Sequence, residues 1–141
     1  NLLKRVTLVT PNVPEAEVLS GISIKTIEDM VCAAKKINIL GIKNILIKGG
    51  HLETKKIHNV LLSNNKVEIF NSKKISTKNT HGTGCTLSSA IATFYSCGKT
   101  LKKSCELGIN YVNRAIMNGP NYGKGHGPIN HINNIEISKL K

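Results

Sequence analysis

The sequence predicts an α/β protein with a mostly parallel sheet, and three observations carry that prediction. Residues 5–10 are a short, mainly apolar run of the kind found in strands. Residues 44–48 are a continuous β-branched run, typical of a strand that is buried on both faces. Apolar residues recur at helical spacing between these two runs, so together they predict a βαβ unit. Because a parallel sheet needs cover on both faces and usually more strands, we expect the chain to be part of a larger α/β unit.

Local start and stop signals bound the first two predicted helices. The first helix is expected to start at Pro14, because proline suits the first helical turn, and to continue to Gly21. The second is expected to follow Thr26, which resembles a capping box with Asp29 three residues later. Gly41 is a natural stop for it.

The second half of the chain predicts a hairpin and then two more helices. Residues 58–63 and 67–72 are the expected hairpin strands, joined across two asparagines. One amphipathic helix is expected to start at the end of a glycine-rich segment and to end at Gly98. Thr100 is the expected cap of the last helix, which stops at Gly119.

The net charge of +12 raises the question of a nucleic-acid partner. A binder of that kind concentrates its charge and interleaves aromatic side chains, yet the chain has three tyrosines, two phenylalanines and no tryptophan. The basic residues are spread along the chain and are almost all lysine, with arginine only at Arg5 and Arg114. We therefore expect no nucleic-acid partner.

The remaining composition argues for a protein of the cytoplasm that binds no membrane. No apolar run approaches the roughly 20 residues needed to cross a bilayer. The four cysteines contain no CxxC pair, and no cysteine–histidine spacing fits a zinc site. Without a secretory signal, reduced thiols in the cytoplasm are the expectation. We interpret the three cysteines other than Cys85 as structural residues on apolar helix faces.

The segment Gly82, Thr83, Gly84 and Cys85 is the strongest chemical signal. Two glycines before a helix let the backbone aim several N–H groups at one point, where the helix dipole also favours phosphate or a developing oxyanion. A cysteine at a helix start is favoured as thiolate, which suits a general base. The alternative interpretation is a glycine turn with a buried cysteine.

Three further sites in the sequence allow either a functional or a purely structural interpretation. Lys48 ends a predicted strand, where it can neutralise a phosphate or simply be solvated. Glu15, within the segment that starts at Asn12, can organise Mg²⁺ through waters or simply favour the first helical turn. Residues 125–131 suit either a metal or phosphate loop or a surface turn, and their histidines lack a ligand pattern.

Four motifs occur in order along the chain: Thr-Pro-Asn-Val-Pro-Glu-Ala at residues 10–16, Lys-Gly-Gly-His at 48–51, Asn-Thr-His-Gly-Thr-Gly-Cys-Thr-Leu-Ser at 79–88, and Gly-His-Gly-Pro-Ile-Asn-His at 125–131. Together they resemble the hydroxymethylpyrimidine/phosphomethylpyrimidine kinase family, within the ribokinase-like superfamily. The resemblance implies ATP- and Mg²⁺-dependent phosphorylation of the pyrimidine and then of its monophosphate. It also implies a three-layer αβα fold, of which residues 1–141 are the carboxyl-terminal, ATP-binding part without the amino-terminal part.

The resemblance also assigns roles to individual residues. The anion hole for the transferring phosphate falls on Gly82, Thr83 and Gly84. Cys85 falls where most relatives place an aspartate base, and Lys48 falls opposite the γ-phosphate. The residues implied to hold Mg²⁺ or nucleotide are Asn12, Glu15, Thr80 and Val112.

Alternatives remain for the acceptor and for the activity of the chain. Cysteine-type pyridoxal kinases share these motifs, so pyridoxal is a second possible acceptor. Family members are longer, and the part that supplies most of the pyrimidine pocket is not in this sequence. A catalytically incomplete nucleotide-binding fragment is therefore a third interpretation. A homodimer is implied for the full-length enzyme.

Overall fold

The computed structural model describes residues 2–50, 52, 56–120, 122 and 124–132. The chain divides into two compact units, the first running to Lys74 and the second starting at Ile75. Helices and strands both occur in these ranges, which confirms the predicted α/β class. No helix in the described part of the chain is long and apolar enough to cross a membrane.

The first unit opens with a 3₁₀ turn at Leu2–Lys4, followed by helices α1 (Val13–Ser20) and α2 (Ile27–Ile39). The predicted bounds hold to within about two residues. Gly21 closes α1 with a left-handed φ of 67°, which glycine adopts without strain.

The predicted capping box of α2 is confirmed in atomic detail. Thr26 Oγ1 accepts a hydrogen bond from the N–H of Asp29 at 3.1 Å, and Asp29 Oδ2 accepts one from the N–H of Thr26 at 2.9 Å. The N–H of Lys25 also donates to Asp29 Oδ2, at 3.0 Å. The backbone donors of Lys25 and then Thr26 lower the pKa of the Asp29 carboxyl below its usual value, since they stabilise its charged form.

Three antiparallel strands form the sheet of the first unit: β1 (Asn44–Lys48), β2 (Lys56–Ser63) and β3 (Lys66–Lys73), in the order β1-β2-β3. The predicted hairpin is confirmed. Asn64 and Asn65 have φ of 49° and 60°, the left-handed values that a two-residue type I′ turn requires at both positions.

The prediction of a strand at residues 5–10 was wrong, because these residues do not form a continuous strand. Its parallel alignment with β1 survives as isolated bridges at Val9 and Asn12. The N–H of Leu46 donates to Val9 O at 2.9 Å, and that of Lys48 donates to Pro11 O at 2.9 Å. Pro11 has no N–H to donate, so the ladder is interrupted there.

The prediction of a mostly parallel sheet is likewise not confirmed by the described strands. Residues 49–55 join β1 to β2 and are too few for the helical crossover of about a dozen residues that parallel strands need. β2 therefore returns antiparallel to β1. The core of this unit lies between α2 and the sheet, and its fully buried members include Met30, Ile37, Ile45, Ile47 and Val60.

The second unit contains α3 (Thr83–Ser96) and α4 (Leu101–Met117), which pack against each other. Both helices lie where the sequence predicts them. Leu87 and Ile91 are the buried residues of α3 and form its inner face. Tyr95, on the same helix, is 46% exposed and lies outside that face.

Candidate functional site

The glycine segment forms an open helix start, as the sequence predicts. Gly82 is the residue before α3 and has φ 85° and ψ 0°, a left-handed conformation that glycine tolerates best. No described side chain caps this helix, whereas Asn12, Thr26 and Thr100 cap α1, α2 and α4. The first turn of α3 holds no acidic residue. Its leading N–H groups have no partner within the helix, so this end is suited to an anion.

Two hydroxyls brace the carbonyl side of the same turn. Thr86 Oγ1 donates to the Gly82 carbonyl at 2.8 Å, beside the helical bond from the Thr86 N–H to the same oxygen at 2.9 Å. Ser88 Oγ donates to Gly84 O at 3.1 Å. Ahead of the helix, the Thr83 N–H approaches Thr80 O at 3.4 Å. Hydrogen bonds from Thr83, Thr86 and Ser88 therefore hold the backbone of the predicted anion hole.

Cys85 is the third residue of α3, and it is exposed. The alternative of a buried, structural cysteine at this position is therefore excluded. Of the cysteines interpreted as structural, only Cys105 is buried, and burial raises the pKa of its thiol to about 12. The interpretation was wrong for Cys32 and Cys97, which are both exposed. Cys97 follows the last residue of α3 and so lies outside the buried face of that helix.

The segment before the glycine loop is tied to the glycine-rich segment near the end of the chain. The His81 N–H donates to Gly127 O at 3.2 Å, and His81 forms a parallel bridge with Pro128. His126 and His131 are exposed. No group of three metal-ligating side chains occurs in the ranges that the structure describes, so those histidines gain no support as a metal loop.

In the first unit, the structure brings Asn12, Glu15 and Lys48 to one end of β1. Asn12 bridges Lys48 in the parallel alignment. Asn12 Oδ1 accepts from the Glu15 N–H at 2.9 Å, and Glu15 Oε2 accepts from the Asn12 N–H at 2.8 Å, which makes a complete capping box. Glu15 is exposed, so its carboxylate is also open to solvent. The structural role of the pair is established by these bonds.

The other two assigned residues lie in the second unit. Thr80 is exposed two residues before Gly82, on the approach to α3. Val112 is buried on α4. Asn79 belongs to the motif at residues 79–88, but no separate role was predicted for it. The residue is 4% exposed, and its side chain contacts two glycines. The signal available in the sequence was an asparagine just ahead of a glycine turn, together with glycines at 119 and 127.

A family model described as phosphomethylpyrimidine kinase matches residues 1–130. The thiamine biosynthesis bifunctional protein ThiED of Geobacter sulfurreducens is 45% identical over 89% of this chain and 26% of its own length. The hydroxymethylpyrimidine/phosphomethylpyrimidine kinase of Bacillus subtilis is 37% identical over 92% of this chain and 48% of its own.

Two solved structures share the fold. The Staphylococcus aureus pyridoxal kinase in complex with AMP-PCP and pyridoxal aligns with a TM-score of 0.91 and 32% identity, covering 96% of this chain and 51% of that one. The phosphomethylpyrimidine kinase of Clostridium difficile aligns with a TM-score of 0.68 and 34% identity, covering 82% and 45%. The chain spans about half or less of the length of each of these relatives. With the family model matched from residue 1 to residue 130, the chain belongs to the phosphomethylpyrimidine kinase family.

Proposed function

We propose that this chain is the carboxyl-terminal, ATP-binding part of a kinase that phosphorylates 4-amino-5-hydroxymethyl-2-methylpyrimidine and then its monophosphate. The observation that carries the proposal is the uncapped start of α3, with its left-handed Gly82 and exposed Cys85, in a chain of this family. The curated relative from Bacillus subtilis is named for both pyrimidine substrates.

In the proposed reaction, Cys85 as thiolate takes the proton of the acceptor hydroxymethyl group. The freed oxygen attacks the γ-phosphorus, the bond from that phosphorus to the β,γ-bridging oxygen breaks, and ADP leaves with the bonding pair. The N–H groups that follow Gly82 stabilise the charge on the equatorial oxygens, because they point along the helix dipole at no cost of reorganisation. Thr83 and Gly84 supply these donors.

The remaining assigned residues take supporting roles. Lys48 contributes a positive charge for the transferring phosphate, and Thr80 and Val112 contact the nucleotide. Mg²⁺ usually keeps several waters and is bound through one or two carboxylates and the substrate phosphates. The exposed carboxylate of Glu15, fixed on one oxygen by the Asn12 N–H, fits that requirement. When bound, the ion neutralises charge on the phosphates.

We also propose that the complete kinase contains a further part that supplies most of the acceptor site and completes a three-layer, mostly parallel fold. Supporting this, an apolar groove of about 670 Å³ lies along the start of the first unit, beside residues that pair with β1. Leu2, Leu3 and Val18 line it with 74%, 40% and 86% exposure, unusual for side chains of that type. For the full-length enzyme we propose a homodimer in the cytoplasm.

Pyridoxal is the second candidate acceptor, and one observation favours it. The pyridoxal kinase structure aligns with a TM-score of 0.91, against 0.68 for the phosphomethylpyrimidine kinase structure. Fold likeness reports the shared backbone, whereas acceptor choice depends on pocket side chains. We therefore keep the pyrimidine, which both the family model and the curated relatives name. A nucleotide-binding fragment without turnover is the third candidate.

The experiment that separates the three candidates measures phosphate transfer from ATP to the hydroxymethylpyrimidine and, in parallel, to pyridoxal. It uses the chain of 141 residues and records ATP binding in the same preparation. Preferential turnover of the pyrimidine is the expected result for a chain that carries enough acceptor site. Preferential turnover of pyridoxal would replace the pyrimidine as substrate. ATP binding without turnover of either would assign the chain as an incomplete kinase.

A further inference from the structure

Asn79 is a buried polar side chain that the proposed reaction leaves unused. The backbone N–H of Asn79 donates to Thr77 Oγ1 at 3.1 Å. No buried side-chain nitrogen or oxygen in the described ranges lacks a hydrogen-bond partner, so the Asn79 amide is satisfied where it lies. Burying an amide costs free energy unless its bonds are made, which means that this position holds the side chain in one arrangement.

Two glycines make room for this side chain. A Cβ atom built on Gly119 would lie 2.9 Å from Asn79 Nδ2, closer than real Cβ atoms approach, and 3.0 Å from Asn79 Cβ, which is tighter than most real contacts. A Cβ atom built on Gly127 would overlap Asn79 Oδ1. The backbone beyond α4 therefore touches the asparagine directly at both places.

Backbone hydrogen bonds connect the segment that contacts Asn79 to the glycine loop at Gly82. The His81 N–H donates to Gly127 O at 3.2 Å, and the Asn130 N–H donates to Ala115 O at 2.9 Å. The segment that follows Gly127 is thereby tied to α4 on one side and to residue 81 on the other. Gly82 comes next in the chain and sets the direction in which the first N–H groups of α3 point.

We propose that Asn79 is a positioning residue, which holds the anion-binding turn of Gly82 in place by wedging between Gly119 and Gly127. This inference rests on the proposed function. Electrostatic stabilisation of a transferring phosphate depends on donors fixed before the reaction, and misplacement by about 1 Å can cost a hundredfold. A side chain locked by two glycines is a supporting contact of this kind.

The test is a double-mutant cycle on Asn79→Ala and Gly127→Ala, with Mg·ATP affinity and the thermal unfolding midpoint as readouts. Gly127→Ala is expected to weaken Mg·ATP binding by about tenfold to a hundredfold, measured well below its own midpoint. Gly125→Ala is the matched control, because a Cβ atom there meets nothing within 4 Å. Adding Asn79→Ala to Gly127→Ala is expected to cause less loss than the product of the two single losses, since it removes the clash.

Amide NMR spectra of the ligand-free protein give a readout that needs no nucleotide. Asn79→Ala is expected to shift the amide signals of Thr83, Gly84 and Cys85, and Gly125→Ala to leave them in place. Unshifted signals, or an Asn79→Ala variant that melts lower yet binds Mg·ATP as the parent does, would overturn the positioning role. Independent losses in the cycle would also overturn it. If the parent chain binds no Mg·ATP, the proposed function fails, while the amide signals and the unfolding cycle still decide whether Asn79 positions the turn.

Discussion

The pair formed by Asn12 and Glu15 allows its structural and its proposed metal-binding roles to be separated. Both side chains form the capping box of α1, so Asn12→Ala removes the acceptor of the Glu15 N–H. Loss of such a cap costs about 1 kcal/mol. A chain of 141 residues has an unfolding entropy of about 0.3 kcal/mol/K, so the thermal midpoint is expected to fall by about 3 °C.

Glu15→Gln is the complementary change, because glutamine keeps the capping-box geometry while removing the charge. Its midpoint is expected to fall less than that of Asn12→Ala. If the carboxylate helps to hold Mg²⁺, the enhancement of ATP binding by Mg²⁺ is expected to drop by about tenfold to a hundredfold, with metal-free ATP binding unchanged. Calorimetric titrations with and without Mg²⁺ measure both. An unchanged Mg²⁺ enhancement in Glu15→Gln would refute the metal role and leave Glu15 as a cap alone.

Three further expectations concern ionisable side chains. Cys85→Ala is expected to abolish phosphate transfer in an intact homologue while ATP binding stays near normal. Turnover equal to the parent would show that Cys85 is not the base. Cys85→Asp tests whether a carboxylate restores transfer. Cys105 is expected to resist thiol reagents in the folded protein, while the three exposed cysteines react. Because burial raises the pKa of the Cys105 thiol from 9.0 to about 12, stability is lost as the pH rises through that range, and Cys105→Ala should diminish the loss. Asp29 has a lowered pKa, so its contribution to stability is present above pH 3.8 and is lost as the pH falls through the folded-state pKa. An Asp29→Asn variant whose acid unfolding matches that of the parent would contradict this contribution.

Local features of the fold were predictable because the sequence carries their chemistry at short range. Pro14 and Gly21 mark the ends of α1, and the capping box of α2 depends on two residues three apart. The hairpin turn follows from two adjacent asparagines that tolerate positive φ.

The antiparallel return of β2 onto β1 was not predictable in the same way. Pairing between strands is a long-range choice, and both the antiparallel and the parallel arrangement suit a buried β-branched run. The number of residues between the two strands was the usable clue, since it rules out a helical crossover. The burial of Asn79 also depends on long-range contacts, because Gly119 and Gly127 lie far along the chain. Periodicity likewise misplaced Cys32 and Cys97, since it locates an apolar face without saying what covers it.

Binding of Mg·ATP to the parent chain and to Gly84→Val is the sharpest test of whether the first turn of α3 binds phosphate. Gly84 is the second residue of α3, where a bulkier side chain obstructs close approach of a phosphate to the backbone. Ser89→Val is the matched control, since it places the same β-branched residue at an exposed position of the same helix. We expect the parent and Ser89→Val to bind Mg·ATP alike and Gly84→Val to bind it at least about tenfold more weakly. Equal affinity in all three would contradict the assignment of this turn as the phosphate site.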